Sequence, residues 1–155
     1  MLATPDLYTL TAGAGEGVTA LNAFDAALLA AGIGNLNLLR VSSILPPGAA
    51  YREKLAIPPG SLLPIAYGTI ASTTPGDRIA AAVAVGRSTP EEFGVIMECS
   101  GHCSREELEE RIRAMVAQSF VTRGLHLSEV RVAAAEWRVR NVGAVIAAVP
   151  LWYED

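Results

Sequence analysis

Apolar and polar positions along this chain change period several times, and each change marks an element. The apolar run at 7–12 predicts a strand that closes on the glycine-rich Ala12-Gly13-Ala14-Gly15-Glu16-Gly17. Thr19 is placed to N-cap a helix over 20–31, with Leu21, Phe24, Leu28 and Ala31 on one face and Gly32 and Gly34 ending it. The stretch 36–41 is apolar on both sides of a period of two, which predicts a strand buried on both faces. A proline-rich connection at 46–64 follows, long enough to expect a function of its own. Three β-type runs come next, at 62–71, 78–86 and 93–98, and Thr74-Pro75-Gly76-Asp77 makes the first two a hairpin. Ser104-Arg105-Glu106-Glu107 is a capping box opening a helix that runs to about Arg123 and stops at Gly124. Leu108, Ile112, Met115, Val116 and Phe120 form its apolar stripe. Two last strands, 130–139 and 142–149, join through a tight turn at Arg140-Asn141. About seven strands with two helices far apart in sequence predict a single α+β domain over 1–155, built as a sandwich.

Composition narrows what such a domain does. Half the residues are hydrophobic (51%) and only 18% are charged, against about a quarter in ordinary domains. That is little polar surface for the volume, so an oligomer is expected. A net charge of −4 without any basic run argues against nucleic acid as a partner. Lys54 is the only lysine and sits in a polar stretch beside prolines, a poor setting for pyridoxal chemistry. No apolar run is long enough to span a bilayer, no membrane partner is expected, and a chain opening directly into its first strand suggests a cytoplasmic protein. Two cysteines are too few for a disulfide scaffold. Cys99, His102 and Cys103 lack a fourth ligand, so no metal site is expected, and Gly13 to Gly17 lack the lysine and hydroxyl of a phosphate loop. Neither serine of the Ser42-Ser43 pair sits in the Gly-x-Ser-x-Gly setting of a serine hydrolase.

The serine pair carries a different chemistry. Ser42-Ser43 lies inside NLLRVSSILPPG (37–48), after the predicted strand and just before Pro46-Pro47. A serine hydroxyl can attack the carbonyl of the preceding residue and convert that amide to an ester, which later eliminates. The chain would then be cut between Ser42 and Ser43, leaving Ser43 as an N-terminal pyruvoyl group. A rigid strand broken by two prolines is where backbone strain favouring such a step is expected.

The run LNAFDAALL (21–29), GIGNLNL (32–38), Ser42-Ser43-Ile44 with Pro46-Pro47, PIAYG (64–68), Ile96-Met97-Glu98, GHCS (101–104) and LWY (151–153) resembles the pyruvoyl-dependent arginine decarboxylases, in order and over nearly the whole chain. The resemblance implies a layered αββα sandwich with mainly antiparallel sheets flanked by helices. It also implies self-cleavage into a β chain of 1–42 and an α chain of 43–155, with a self-generated pyruvoyl cofactor from Ser43. The cleaved protomers would form a homotrimer with active sites near subunit interfaces. L-Arginine would become agmatine and carbon dioxide through a Schiff base on the pyruvoyl group, feeding polyamine synthesis or consuming protons under acid stress.

Residue roles follow by matching. Glu98 would be the proton donor, and its own setting agrees, since it ends the apolar run Phe93 to Met97 where desolvation raises a carboxyl pKa. The plain alternative is a carboxylate exposed at a strand end. Asp25 would grip the substrate guanidinium through paired hydrogen bonds, against the alternative of a solvated acid near a helix N-terminus. Asn37 shares strand parity with Ser43 if the strand runs on straight, and its amide could hold the Ser42 carbonyl during self-cleavage. An asparagine that ties down a neighbouring loop is the alternative, and Asn35 suits that role better. Gly34, Leu36, Ser42 and Ile44 match substrate-lining positions. Two other readings use the same fold: a pyruvoyl decarboxylase of another amino acid, and an uncleaved trimer that binds arginine or agmatine without turning it over.

Overall fold

Among the described residues, 2–155, the computed structural model has ten strands and two helices in four layers. One sheet runs β3 (Asn37–Arg40), β6 (Leu62–Ser72), β10 (Gly143–Trp152), β1 (Leu7–Tyr8), β5 (Ala50–Tyr51), and β2 (Thr11–Glu16) lies beside β10 where β1 has not yet joined it. The other runs β4 (Ile44–Leu45), β8 (Gly94–Gly101), β7 (Arg78–Arg87), β9 (Glu129–Arg138). Pairing is antiparallel except for β1 with β5 and β3 with β6. The sheets face one another, with α1 (Ala20–Ala30) on the outside of the first and α2 (Arg105–Arg123) on the outside of the second. The expected α+β layered sandwich is the fold.

The period-two pattern explains the layering. On β10, Val145, Ala147 and Val149 face the space between the sheets, while Ala144, Ile146 and Ala148 face α1. On β7, Ile79, Ala81, Val83 and Val85 face inward, and Ala80, Ala82 and Ala84 face α2. Both central strands are therefore buried on both sides, with small residues where a helix must come close. The stripe Leu108, Ile112, Val116 and Phe120 of α2 is buried as expected, with Met115 at its margin. Ser104 accepts the Glu107 N–H at 3.2 Å and Gly124 closes the helix at φ 64°.

Three expectations change. The glycine-rich segment is strand β2, not a turn after a strand at 7–12, and the run at 7–12 divides into β1 and the start of β2. Alternate glycines of β2 face α1: a Cβ on Gly13 would lie 2.6 Å from the Ala31 nitrogen and 2.7 Å from the Ala27 oxygen, and one on Gly15 would lie 2.7 Å from the Ala26 Cβ. Where α1 lies on these glycines the seat accepts only small residues, and its buried face is Ala23, Ala27 and Ala31 with Leu28 beside them. Leu21, expected on that face, is 76% exposed. Finally, the 36–41 strand is not buried on both faces. It is β3, the outer strand of its sheet, and Leu39 is exposed because no layer of this chain covers it.

Glu16, the one charge in the glycine segment, holds the β9–β10 turn. Its Oε2 accepts from Trp137 Nε1 (2.7 Å) and the Arg140 N–H (3.1 Å), and its Oε1 accepts from the Asn141 and Val142 N–H groups at 2.9 and 3.2 Å. Desolvation raises its carboxyl pKa, but these four hydrogen bonds to the charged form outweigh it and leave the pKa below the ordinary value.

Two outcomes are expected. Gly13→Ala must push α1 off β2 and should cost about 1–3 kcal/mol of unfolding free energy in a urea titration. Because the folded-state pKa of Glu16 is depressed, its contribution is present above the unfolded carboxylate pKa and is lost as pH falls through the folded value. Glu16→Gln should therefore lower the melting temperature at pH 7, and the gap from the parent should narrow as acid is added.

Candidate active site

The chain changes sheets at the serine pair. The Val41 N–H still donates to the Ile65 carbonyl of β6 (2.9 Å), while the Ser43 carbonyl already accepts from the Ile96 N–H of β8 (2.7 Å). Ser42 alone bridges the two layers, and the Ser42–Ser43 bond lies in the crossing. Ser42 is exposed and Ser43 half-buried. Every non-glycine residue described has a negative φ, Ser42 and Ser43 included. What constrains the bond is a clamp on each side of it.

Glu98 lies on β8 two residues beyond Ile96, about 7 Å along the strand, and on the same side as Ile96. Its base packs on β6, where a Cβ on Gly68 would lie 3.3 Å from the Glu98 Cβ. Glycine there keeps the strand-to-strand gap open for the carboxylate to reach the edge of the sandwich. There Arg40 meets it: Nη2 donates to Glu98 Oε1 at 3.1 Å and to the Tyr67 carbonyl at 2.6 Å, and the guanidinium lies 4.2 Å from the centre of the Tyr67 ring. Phe24 of α1 packs against that ring, 6.4 Å between centroids. The sequence places Glu98 in an apolar, desolvating setting. In the single chain it is instead ion-paired, with 31% of its side chain exposed, because it sits at the open edge where β3 and β4 end their sheets.

The chain belongs to the pyruvoyl-dependent arginine decarboxylase family. The model of that family matches residues 7–154. The pyruvoyl-dependent arginine decarboxylase of Methanocaldococcus jannaschii is 45% identical over 151 residues, covering 97% of this chain and 92% of that protein. Those of Pyrococcus abyssi (45% over 152 residues, 96% of each chain) and Pyrococcus horikoshii (46% over 149 residues, 94% of each) are similarly close.

In this family member the matched positions fall into four places. Ser42, Ser43, Ile44 and Glu98 come together at the crossing, through β4 and β8. Gly34 and Leu36 line a cavity of about 510 Å3 beyond the end of α1, with Leu29, Lys54 and Ile57; Asp25, Ser43 and Glu98 lie outside it. Asp25 projects from the exposed part of α1 and has no ion pair among the described residues. Asn37 departs from its expected geometry. The strand does not run straight to Ser43, since β3 stops at Arg40 and β4 belongs to the other sheet, so shared parity has no meaning. Its amide donates to the Gly60 carbonyl at 2.9 Å and so ties down the 58–61 turn, the role expected of Asn35. Asn35 contributes its backbone carbonyl to the Gly60 N–H.

Arg40, Tyr67 and Gly68 were not singled out from the sequence, although all three lie in the quoted motifs. A lone arginine in an apolar strand two residues before the serine pair was the available signal. Cys99 and His102 point apart: the thiol packs toward the Leu108 carbonyl of α2, and the imidazole Nδ1 lies 3.7 Å from Asp77 at the surface. Burial pushes the Cys99 thiol up, with Cys103 adding to it and Arg111 partly opposing, which keeps it protonated at neutral pH. Among the described residues no helix is long and apolar enough to cross a membrane.

Proposed function

We propose that this chain decarboxylates L-arginine to agmatine, using a pyruvoyl group that it makes from Ser43. The observation that carries this reading is the clamped crossing at Ser42-Ser43 in a member of this family, two residues along β8 from Glu98. In self-cleavage the Ser43 hydroxyl attacks the Ser42 carbonyl carbon and the amide nitrogen leaves, giving an ester. Elimination then releases the Ser42 carboxylate, and addition of one water with loss of ammonia leaves the ketone on residue 43. The products are the chains 1–42 and 43–155. Hydrogen bonds at Val41 and Ser43 fit this role, since they hold both sides of the bond while it is cut.

The pyruvoyl group supplies an electron-accepting carbonyl to which carbon–carbon cleavage can be coupled. Asp25 binds the substrate guanidinium, two acceptor oxygens facing two N–H groups, and so fixes which end of the substrate points to residue 43. Gly34, Leu36, Ser42 and Ile44 line its path. Glu98 delivers the proton to the substrate Cα. Asp25 stands on an exposed face with Leu21 and Leu29, and the crossing stands beside exposed Leu39, Ile44 and Leu62. So much apolar surface around the candidate residues supports an oligomer whose interfaces enclose the sites, which we take to be the homotrimer that the family resemblance implies, working in the cytoplasm.

Denatured intact mass of the purified protein is the first test. Two species, 1–42 and 43–155 with a blocked N-terminus, are expected; a single species at 16.2 kDa would sink the reading. Asp25→Asn should leave cleavage intact and lower kcat/KM for arginine on the order of 10²-fold. A non-cationic amino acid turned over as well as before would point to a different substrate. Glu98→Gln should lower kcat by about 10²–10⁴-fold.

A further inference from the structure

Cutting the chain between Ser42 and Ser43 removes one of the two tethers on residue 43. What remains lies downstream, and the ladder there is short. β4 pairs only Ile44 with Val95 and Leu45 with Gly94, and the Ser43 carbonyl accepts from the Ile96 N–H. Pro46 and Pro47 have no N–H with which to extend it. Short strand pairs are marginal in water, so two ladder residues are a weak seat for a reacting group.

Arg87 holds the segment that follows. Pro46-Pro47-Gly48-Ala49 is a type II turn, with Gly48 at φ 76° and the Ala49 N–H donating to the Pro46 carbonyl at 3.2 Å. At its end Arg87 Nη1 donates to the Ala49 carbonyl at 2.7 Å. Nη2 donates to the Pro90 carbonyl, which also accepts the Gly48 N–H at 3.1 Å. To do this the side chain crosses β8. Arg87 stands opposite Gly94, and Gly94 stands opposite Leu45. A Cβ on Gly94 would lie 3.2 Å from Arg87 Cγ and 3.2 Å from Leu45 Cβ, so glycine there leaves the lane open. The base is fixed as well, since the Arg87 carbonyl accepts from the Ser128 N–H and hydroxyl. Yet the charge has no counter-ion. Arg87 is buried and joins none of the ion pairs among the described residues, its Nε has no hydrogen bond, and Glu129 opposite it on β9 pairs with Arg131. As core packing alone such a cation is unfavourable. Its rigid fork, however, can grip two segments at once, which no apolar side chain can do.

We propose that Arg87 is a positioning residue for residue 43 in the cleaved protein. Through the Ala49 and Pro90 carbonyls it holds the 46–49 turn, the turn holds β4, and β4 keeps the carbonyl of residue 43 on the Ile96 N–H after the upstream tether is gone. This rests on the reading of Ser43 as pyruvoyl precursor. Arg87 is buried within one chain, so it acts whatever the interfaces between copies add.

The test is hydrogen exchange of the Ile96 amide, read by NMR in cleaved wild-type protein, in Ser43→Ala, which cannot cleave, and in cleaved Arg87→Met and Arg87→Lys. Ile96 should stay as protected in the cleaved wild type as in Ser43→Ala. In Arg87→Met it should exchange about tenfold faster or more, while the amides of β7 keep their protection, which a general loss of stability would not allow. The same variant should lose about 10²-fold in kcat with KM for arginine unchanged, the signature of a displaced reacting atom rather than weakened binding. Arg87→Lys, with one nitrogen for two carbonyls, should fall between the two in both readouts. Loss of Ile96 protection on cleavage of the wild type overturns the proposal, as does wild-type protection and kcat in Arg87→Met. If Arg87→Met does not fold, Arg87→Lys decides alone, and wild-type behaviour there overturns it. Intact mass on the same samples separates the two readings. An uncleaved wild-type chain removes the Ser43 reading and this one with it, whereas a cleaved chain indifferent to Arg87 removes this one alone.

Discussion

Keeping β7 and β10 dry on both faces is the constraint on which the other layers depend. Each is a run of valine, isoleucine and alanine whose alternate residues enter different cores, one between the sheets and one under a helix. A strand of that kind is stable only with a layer on each side, so two sheets must pack back to back and each must carry a helix outside. Alanine on the helix-facing positions sets the spacing. The glycines of β2 carry the same economy of size further, bringing the α1 backbone almost onto the sheet.

The chemistry is pushed to the margin by this design. A core so closely filled leaves no room for a polar site, and Ser42, Ser43, Ile44 and Glu98 lie where β3 and β4 end their sheets on the same side and the chain steps across at Ser42. Arg40 and Glu98 are half-open to water there, a setting in which an ion pair alone contributes little to stability. Their geometry comes from the second contact to Tyr67 and from the gap that Gly68 leaves, rather than from the strength of the pair.

Behind the crossing the chain is anchored by a buried cation. Arg87, only 5% exposed at the end of β7, donates to the carbonyls of Ala49 and Pro90 and lies 5.9 Å from the centre of the Tyr8 ring. A guanidinium tolerates such a place when carbonyl oxygens and a ring face replace water. Both carbonyls belong to loops that follow β4 and β7, so the segment just after Ile44–Leu45 is held at a fixed distance from the second sheet.

The sequence by itself determined the long elements. Hydrophobic period, the Ser104 cap, the Thr74 to Asp77 turn and the Gly124 stop located α2 and the strands β6 to β10 to within a few residues, because those signals are local. It also carried the serine pair, Glu98 and Asp25 as residues of interest, through side-chain chemistry and motif likeness. Only the tertiary structure decided how they are used. That Ala23 and Ala27 rather than Leu21 face inward depends on glycines in a different strand. That Asn37 holds Gly60 depends on β3 and β4 belonging to different sheets. That Glu98 carries an arginine depends on residues 58 positions apart meeting at one edge. Local patterning encodes which residues are buried, but partners are chosen by strand order, and strand order is set by long-range packing that no short window of sequence contains.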